Sequence, residues 1–232
     1  TTSNSNVAVG YEALSTESTY SENTAIGYRA LKVNSGGYYN TSVGHESMLA
    51  NTTGQDNVAV GHDALKANTT ASNNIAIGKD ALIANTTGNT NIAIGTDAMT
   101  TNVAGDRNVA VGEGALQTLN PSGNVDTLNT AVGYNAMLAT TTGTHNTAVG
   151  ANALDTNTTG GTNTAVGQNA LQANTTASYN TGVGHSALEA NTTGTYNTAV
   201  GKNSLAANTT ANDNTAVGYA AMAANTTGAG NT

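Results

Sequence analysis

"NTAVGKNSLAANTTANDNTAVG" occupies residues 197–218 and opens and closes on the same five residues, 17 positions apart. The interval is not local. The anchor asparagine stands at 6, 23, 40, 57, 74, 91 and 108, then at 129, 146, 163, 180, 197, 214 and 231; every step is 17 except that from 108 to 129, which is 21. Counting the anchor as position 1, glycine fills position 5 in every full unit, from Gly10 and Gly27 to Gly201 and Gly218. Position 2 is always Val, Ile or Thr, position 3 is almost always Ala, and position 8 is Ala except for Ser47 and Ser204. The unit reads N-T-A-V-G-x-x-A-L-x-A-N-T-T-G-x-x.

A fixed period of this kind marks a repeat architecture. Seventeen residues are too few for a helix pair, and a glycine and two asparagines per unit would interrupt helix. They suffice for two short strands and two turns. The reading is an all-β fold, a parallel β-solenoid (β-roll) of thirteen 17-residue coils. Positions 1–5 form one strand, Gly at 5 makes a corner, and positions 7–11 form a second. Asn-Thr-Thr-Gly makes the return turn, where Gly and Asn tolerate positive φ. Coils stacked at about 4.8 Å would give a rod roughly 60 Å long.

Stacking explains the invariance, because each position lies over its equivalent in the next coil. Two interior columns are expected. One is the position-4 set Val9, Ile26, Val43, Val60, Ile77, Ile94, Val111, Val132, Val149, Val166, Val183, Val200 and Val217. The other is the position-9 set Leu14, Leu31, Met48, Leu65, Leu82, Met99, Leu116, Met137, Leu154, Leu171, Leu188, Leu205 and Met222, which holds all four methionines. Leu and Met exchange there as volume-conserving core residues do. The position-1 asparagines are expected to form an amide ladder. The solenoid spans 6–232 after a lead-in over 1–5, with an insertion within 117–128. That insertion, in "LQTLNPSGNVDTLN" (116–129), carries four extra residues and Pro121, and is expected to leave the stack as an outward loop. The first two coils also deviate in their return turns, at Glu17, Tyr20, Tyr38 and Tyr39.

Composition narrows the function classes. Roughly a third of the residues are Asn or Thr, only 9% are charged against a usual quarter, and Cys, Phe and Trp are absent. The net charge of −8, with six cations (Arg29, Lys32, Lys66, Lys79, Arg107 and Lys202), argues against nucleic acid or an anionic membrane as partner. No apolar run reaches the ~20 residues that span a bilayer. Zero cysteine excludes disulfides and thiolate metal sites. No signal-peptide pattern opens the sequence, as in a mature chain, an excerpt or a cytosolic protein. Both ends read as uncapped, which suits a fragment of a longer fibre or a unit that stacks end to end.

Each coil offers one Val, one Leu and a few alanines for burial, thin against the conformational entropy of ordering 17 residues. The expectation is therefore a homo-oligomer, with the alanines of positions 3 and 8, or the position-2 row, as the packing face. "NTAVGYNAM" (129–137), "NVAVGHDAL" (57–65) and "NIAIGKDAL" (74–82) resemble the repeats of trimeric autotransporter adhesin heads (YadA-like β-rolls), and similar units occur in bacteriophage tail-fibre shafts. The resemblance runs from Asn6 to Thr232, though the family's unit is shorter and lacks the long Asn-Thr-Thr-Gly turn. It implies a left-handed parallel β-roll assembled as a trimer and serving as a stiff, adhesive fibre outside the cell, on a cell surface or on a virion. It carries over no catalytic residue or cofactor.

Candidate sites are few. Position 7 places Glu46, Asp63, Asp80 and Asp97 in successive coils, beside His45 and His62 at position 6. Carboxylates stacked about 5 Å apart repel and could share a divalent cation, with His45, His62, Asp63, Asp80 and Asp97 as ligands, or stand as a solvated corner partly neutralised by Lys66 and Lys79. Asn51, Asn68, Asn85, Asn157, Asn174, Asn191, Asn208 and Asn225 each begin an N-x-[S/T] acceptor in a presumed exposed turn, with Asn40 a ninth; in a secreted chain these could carry glycans. The stacked Thr rows also admit an ice-binding solenoid. Enzyme chemistry is not expected, since the repeat accounts for nearly every polar residue. A cell-surface or glycan receptor, or an end-to-end filament with no receptor, completes the readings.

Overall fold

A computed structural model describes residues 5–16 and 22–232. Residues 1–4 of the lead-in, and Glu17 and Tyr20, lie outside the described residues. The chain is an all-β parallel β-solenoid with one coil per 17-residue unit. It comprises two compact units, one of residues 1–113 with 119–126 and one of 114–118 with 127–232.

In the first unit the repeat strands are β1 (Val7–Val9), β2 (Thr24–Ile26), β3 (Thr41–Val43), β4 (Val58–Val60), β5 (Ile75–Ile77), β6 (Ile92–Ile94) and β8 (Val109–Val111). It also holds a short pair, β7 (Gly105–Asp106) and β9 (Val125–Asp126). In the second unit they are β10 (Thr130–Val132), β11 (Thr147–Val149), β12 (Thr164–Val166), β13 (Thr181–Val183), β14 (Thr198–Val200) and β15 (Thr215–Val217). Within each unit, consecutive repeat strands pair in parallel with a register of one whole unit: Val43 on Val60, Val200 on Val217.

The strands are three residues long, and their burial inverts the expected column. Position 3 points inward: Ala25, Ala59, Ala76, Ala131 and Ala199 have no accessible surface. Positions 2 and 4 point outward. The position-4 residues expected in the core (Val9, Ile26, Val43, Val60, Ile77, Ile94, Val111, Val132, Val149, Val166, Val183, Val200 and Val217) are half-buried or exposed. Strand alternation allows only one of the two faces inside, and the interior is too narrow for the β-branched one. At Gly182, the one position-3 glycine, an added Cβ would already stand 3.3 Å from Leu171 Cγ. The position-9 column is interior as expected, Leu31 through Leu205 being fully buried and Leu14 and Met222 half-buried. Two departures from consensus confirm which positions oppose. Ser42 at position 3 and Ser47 at position 8 meet through their hydroxyls at 2.5 Å inside the core.

Positions 7–11 do not form the expected second strand. Ala at 8 and Leu at 9 are both buried, as in Ala30–Leu31 and Ala64–Leu65, and a pleated strand cannot send consecutive side chains the same way. The backbone instead takes a left-handed φ at positions 7 and 9, for example 53° at Arg29 and 50° at Leu31. Coil-to-coil pairing continues through these residues: the Arg29 N–H donates back to the Tyr11 carbonyl (2.8 Å), and the Leu31 N–H donates forward to that of Ser47 (3.0 Å). The run of Asp, Asn and Gly at position 7 now has its reason, since these types tolerate positive φ best.

Two asparagine columns close the interior. The position-1 amide accepts from the backbone N–H of the next coil (Asn40 N–H to Asn23 Oδ1, 3.0 Å) and donates to its own coil at position 15 (Asn40 Nδ2 to the Gly54 carbonyl, 2.8 Å). The expected amide ladder at position 1 forms at some steps, as from Asn57 Nδ2 to Asn40 Oδ1 (3.2 Å) and from Asn108 Nδ2 to Asn91 Oδ1 (3.0 Å). A more regular one runs at position 12, where Asn51 Nδ2 donates to Asn34 Oδ1 (2.9 Å) and Asn68 Nδ2 to Asn51 Oδ1 (2.7 Å). The insertion is only partly an outward loop. Ser122–Asp126 are exposed, but Leu119 is fully buried, Pro121 is buried and β9 pairs in parallel with β7.

Candidate interaction surface

Two surfaces carry the unsatisfied chemistry of the fold. The first is the outward strand face. In β4, β5, β6 and β8 it is aliphatic at both positions, as Val58 and Val60, Ile75 and Ile77, Ile92 and Ile94, and Val109 and Val111. Along the second unit it alternates Thr with Val, from Thr130 and Val132 to Thr215 and Val217. Among the described residues no other element packs over this parallel face, whereas parallel sheets are ordinarily covered on both sides. The alanines of positions 3 and 8, expected as a packing face, are buried from Ala25 to Ala216 and unavailable for one.

The second surface is the corner at positions 6 and 7 of the first unit. Rings stack along it at the coil spacing: Tyr11 on Tyr28 (5.4 Å between centroids), Tyr28 on His45 (5.0 Å) and His45 on His62 (4.8 Å, 3° between planes). The 17-residue spacing of Tyr11, Tyr28, His45 and His62 is the sequence signal for this ladder, although the sequence analysis considers the two histidines only as cation ligands. A second stack, Tyr179 on Tyr196 at 5.1 Å, stands at position 17. Arg29 lies over Tyr28, 5.0 Å from the ring centre.

Beside the rings, the position-7 charges form a network rather than a repelling row. Arg29 bridges Glu12 (2.9 Å) and Glu46 (3.6 Å), Lys32 meets Glu12 (2.6 Å), and Lys66 joins Glu46 (2.7 Å) to Asp63 (3.2 Å). Lys32 and then Arg29 hold the Glu12 carboxyl below its ordinary value, and Lys66 does the same for Glu46. Of the five residues expected as cation ligands, the structure gathers three. His45, His62 and Asp63 each offer a donor atom within 4.8 Å of the others. Asp80 is paired with Lys79 at 2.7 Å, and Asp97 stands outside the group.

The presumed glycan acceptors are not on an exposed edge. Asn40, Asn51, Asn68, Asn85, Asn157, Asn174, Asn191 and Asn208 are fully buried, and Asn225 is half-buried. Their amides point inward because the position-15 carbonyl opposite each needs a donor, as Asn174 Nδ2 supplies to Ala177 (3.0 Å). The exposed threonines of the turn are those at position 14, such as Thr53 and Thr70. At position 13 the hydroxyls donate to the next coil, as from Thr52 to the Thr69 carbonyl (2.8 Å).

Among the described residues no helix is long and apolar enough to cross a membrane. No protein-family model matches the chain, and no curated protein matches it significantly.

Proposed function

We propose that the chain is a structural and adhesive fibre segment, assembled as a parallel homotrimer whose outward strand faces cover one another and whose corners meet a cell surface or glycan. The observation that carries this reading is the inverted strand: Ala, Leu and Asn fill the interior, and the Val and Ile that a thin core most needs to bury lie outside it. A second and third copy supply the missing cover without new sequence, since in a closed three-fold ring every chain turns the same face to the common axis. The stacked tyrosines offer flat apolar surface with a polar tip, the chemistry that suits a sugar ring. An extracellular, cell-surface or virion setting, and a role without catalysis, follow from that use.

Sedimentation equilibrium tests the assembly. The expected mass is three times the chain mass of 23.0 kDa, falling to one chain in the double variant Ile77→Lys, Ile94→Lys. A native monomer would overturn the reading, and open-ended polymers in electron micrographs would replace the trimer with an end-to-end filament.

A second reading rests on the second unit alone, where the outward face repeats Thr and Val at the regular strand spacing through six coils. Such a flat array of hydroxyl and methyl groups suits ice. Thermal hysteresis in the native chain, lost on Thr164→Lys, would favour this reading over the fibre.

A further inference from the structure

We propose that His45, His62 and Asp63 form a zinc site that clamps two adjacent coils of the first unit. The two histidines are equivalent residues of neighbouring coils, so the solenoid itself brings them together, and Asp63 follows His62 in sequence. His45 Nδ1 lies 3.8 Å from Asp63 Oδ1 and His62 Nδ1 lies 3.6 Å from Asp63 Oδ2. Tetrahedral bonds of about 2.1 Å to a zinc ion place donor atoms about 3.4 Å apart, close to the 3.8 Å between His45 Nδ1 and Oδ1, the oxygen that Lys66 leaves free. His62, now beside Oδ2, reaches the same ion by turning its ring.

An orphan atom points to a cation here. Asp63 Oδ1 is closed off from solvent and has no hydrogen-bond partner, while Oδ2 receives Lys66. A buried, unpartnered carboxylate oxygen costs free energy in the absence of a positive partner. Zinc on Oδ1 leaves the Lys66 contacts to Oδ2 and to Glu46 in place, so the ion network and the metal site are compatible. The two imidazoles are about half exposed, at 48% and 53%, which leaves them free to rotate from their parallel stack toward Asp63. Two imidazole nitrogens with one carboxylate oxygen is a borderline donor set that suits zinc above calcium or magnesium, and water completes the fourth position.

Titration calorimetry of the full chain with zinc chloride in a non-chelating buffer tests the site. The expected result is about one zinc per chain, with affinity reduced at least tenfold by the His45→Gln, His62→Gln pair and by Asp63→Asn, taking second-shell losses as the lower bound. The substituted histidines are surface residues, and an unchanged circular dichroism spectrum verifies the fold. Zinc should also raise the melting temperature of the native chain and leave that of the double variant unmoved. No uptake by the native chain overturns the proposal, and so does uptake undiminished in the double variant, which would place the ion elsewhere, as at His145 or His185. None of these results depends on oligomeric state, so the zinc site and the fibre stand or fall separately.

Discussion

Gly150 lies against the carbonyl of Gly167 one coil on, so close that a Cβ on Gly150 would stand 2.6 Å from both the carbon and the oxygen. The same residue has φ of 138°, a backbone region that L side chains rarely adopt. Two independent constraints therefore select glycine at position 5. Gly150→Ala must strain its own backbone and push the next coil away, for an expected loss of about 3–5 kcal/mol, near the upper end for a single substitution. Urea unfolding of the variant beside the native chain measures it.

The invariant glycine was legible as a corner; its close approach was not, because the sequence gives the period and not the depth of the stack. The register of Val200 on Val217 follows from the period alone. Which face of the strand is interior does not follow, since Ala199 and Val200 are both apolar and only the opposing wall decides between them. Met and Leu at position 9 marked a core column correctly, but the adjacent buried Ala at position 8 was the sign that no pleated strand could run there. Glu46, Asp63, Asp80 and Asp97 at position 7 read as a charge row from the sequence, whereas the property that Asp63, Asp80 and Asp97 share with Asn135, Asn152 and Asn169 of later coils is tolerance of left-handed backbone. His45 and His62 were placed together by counting, whereas the orphan oxygen of Asp63 needs three dimensions.

Thr140 breaks the position-12 ladder of the second unit. Its hydroxyl is buried without a partner, while Asn157, one coil on, donates to the Gly160 carbonyl. An asparagine at 140 can accept from Asn157 Nδ2 and donate to the Gly143 carbonyl, as Asn174 Nδ2 does to Ala177 and Asn191 to Asn174. Thr140→Asn is expected to stabilise by about 0.5–2 kcal/mol. A shift of the thermal midpoint to higher temperature checks it, and no shift or a fall would show that the gap is filled another way.

Within the intact ladder the opposite change is severe. Asn174 Nδ2 faces two acceptors, Asn157 Oδ1 at 3.0 Å and the Ala177 carbonyl at 3.0 Å. Asn174→Asp puts a third oxygen between them and buries a charge, so a loss of about 3–5 kcal/mol is expected at neutral pH. Protonation restores one donor, and the deficit should shrink as pH falls toward the carboxylate range. A deficit independent of pH would mean that the ladder's geometry, and not its donors, is what the substitution breaks.

Asp155 carries the remaining buried orphan of the second unit, with Oδ1 closed from solvent and unpartnered. Burial raises its carboxyl above the ordinary value of 3.8. The folded chain therefore binds this proton more tightly than the unfolded chain does. Its contribution to stability is present below about pH 3.8 and is lost as pH rises through the folded value. Glu12 and Glu46 act in the opposite sense. Lys32 with Arg29, and Lys66, hold them below 4.5, so their contribution is present above that pH and is lost as acid protonates them. Asp155→Asn removes the first contribution and leaves the second. Its melting temperature should exceed that of the native chain at pH 7 and converge with it at acid pH, where Asp155 is neutral in both states. A variant less stable than the native chain at pH 7 would show that the Asp155 carboxylate is held by a cation in solution.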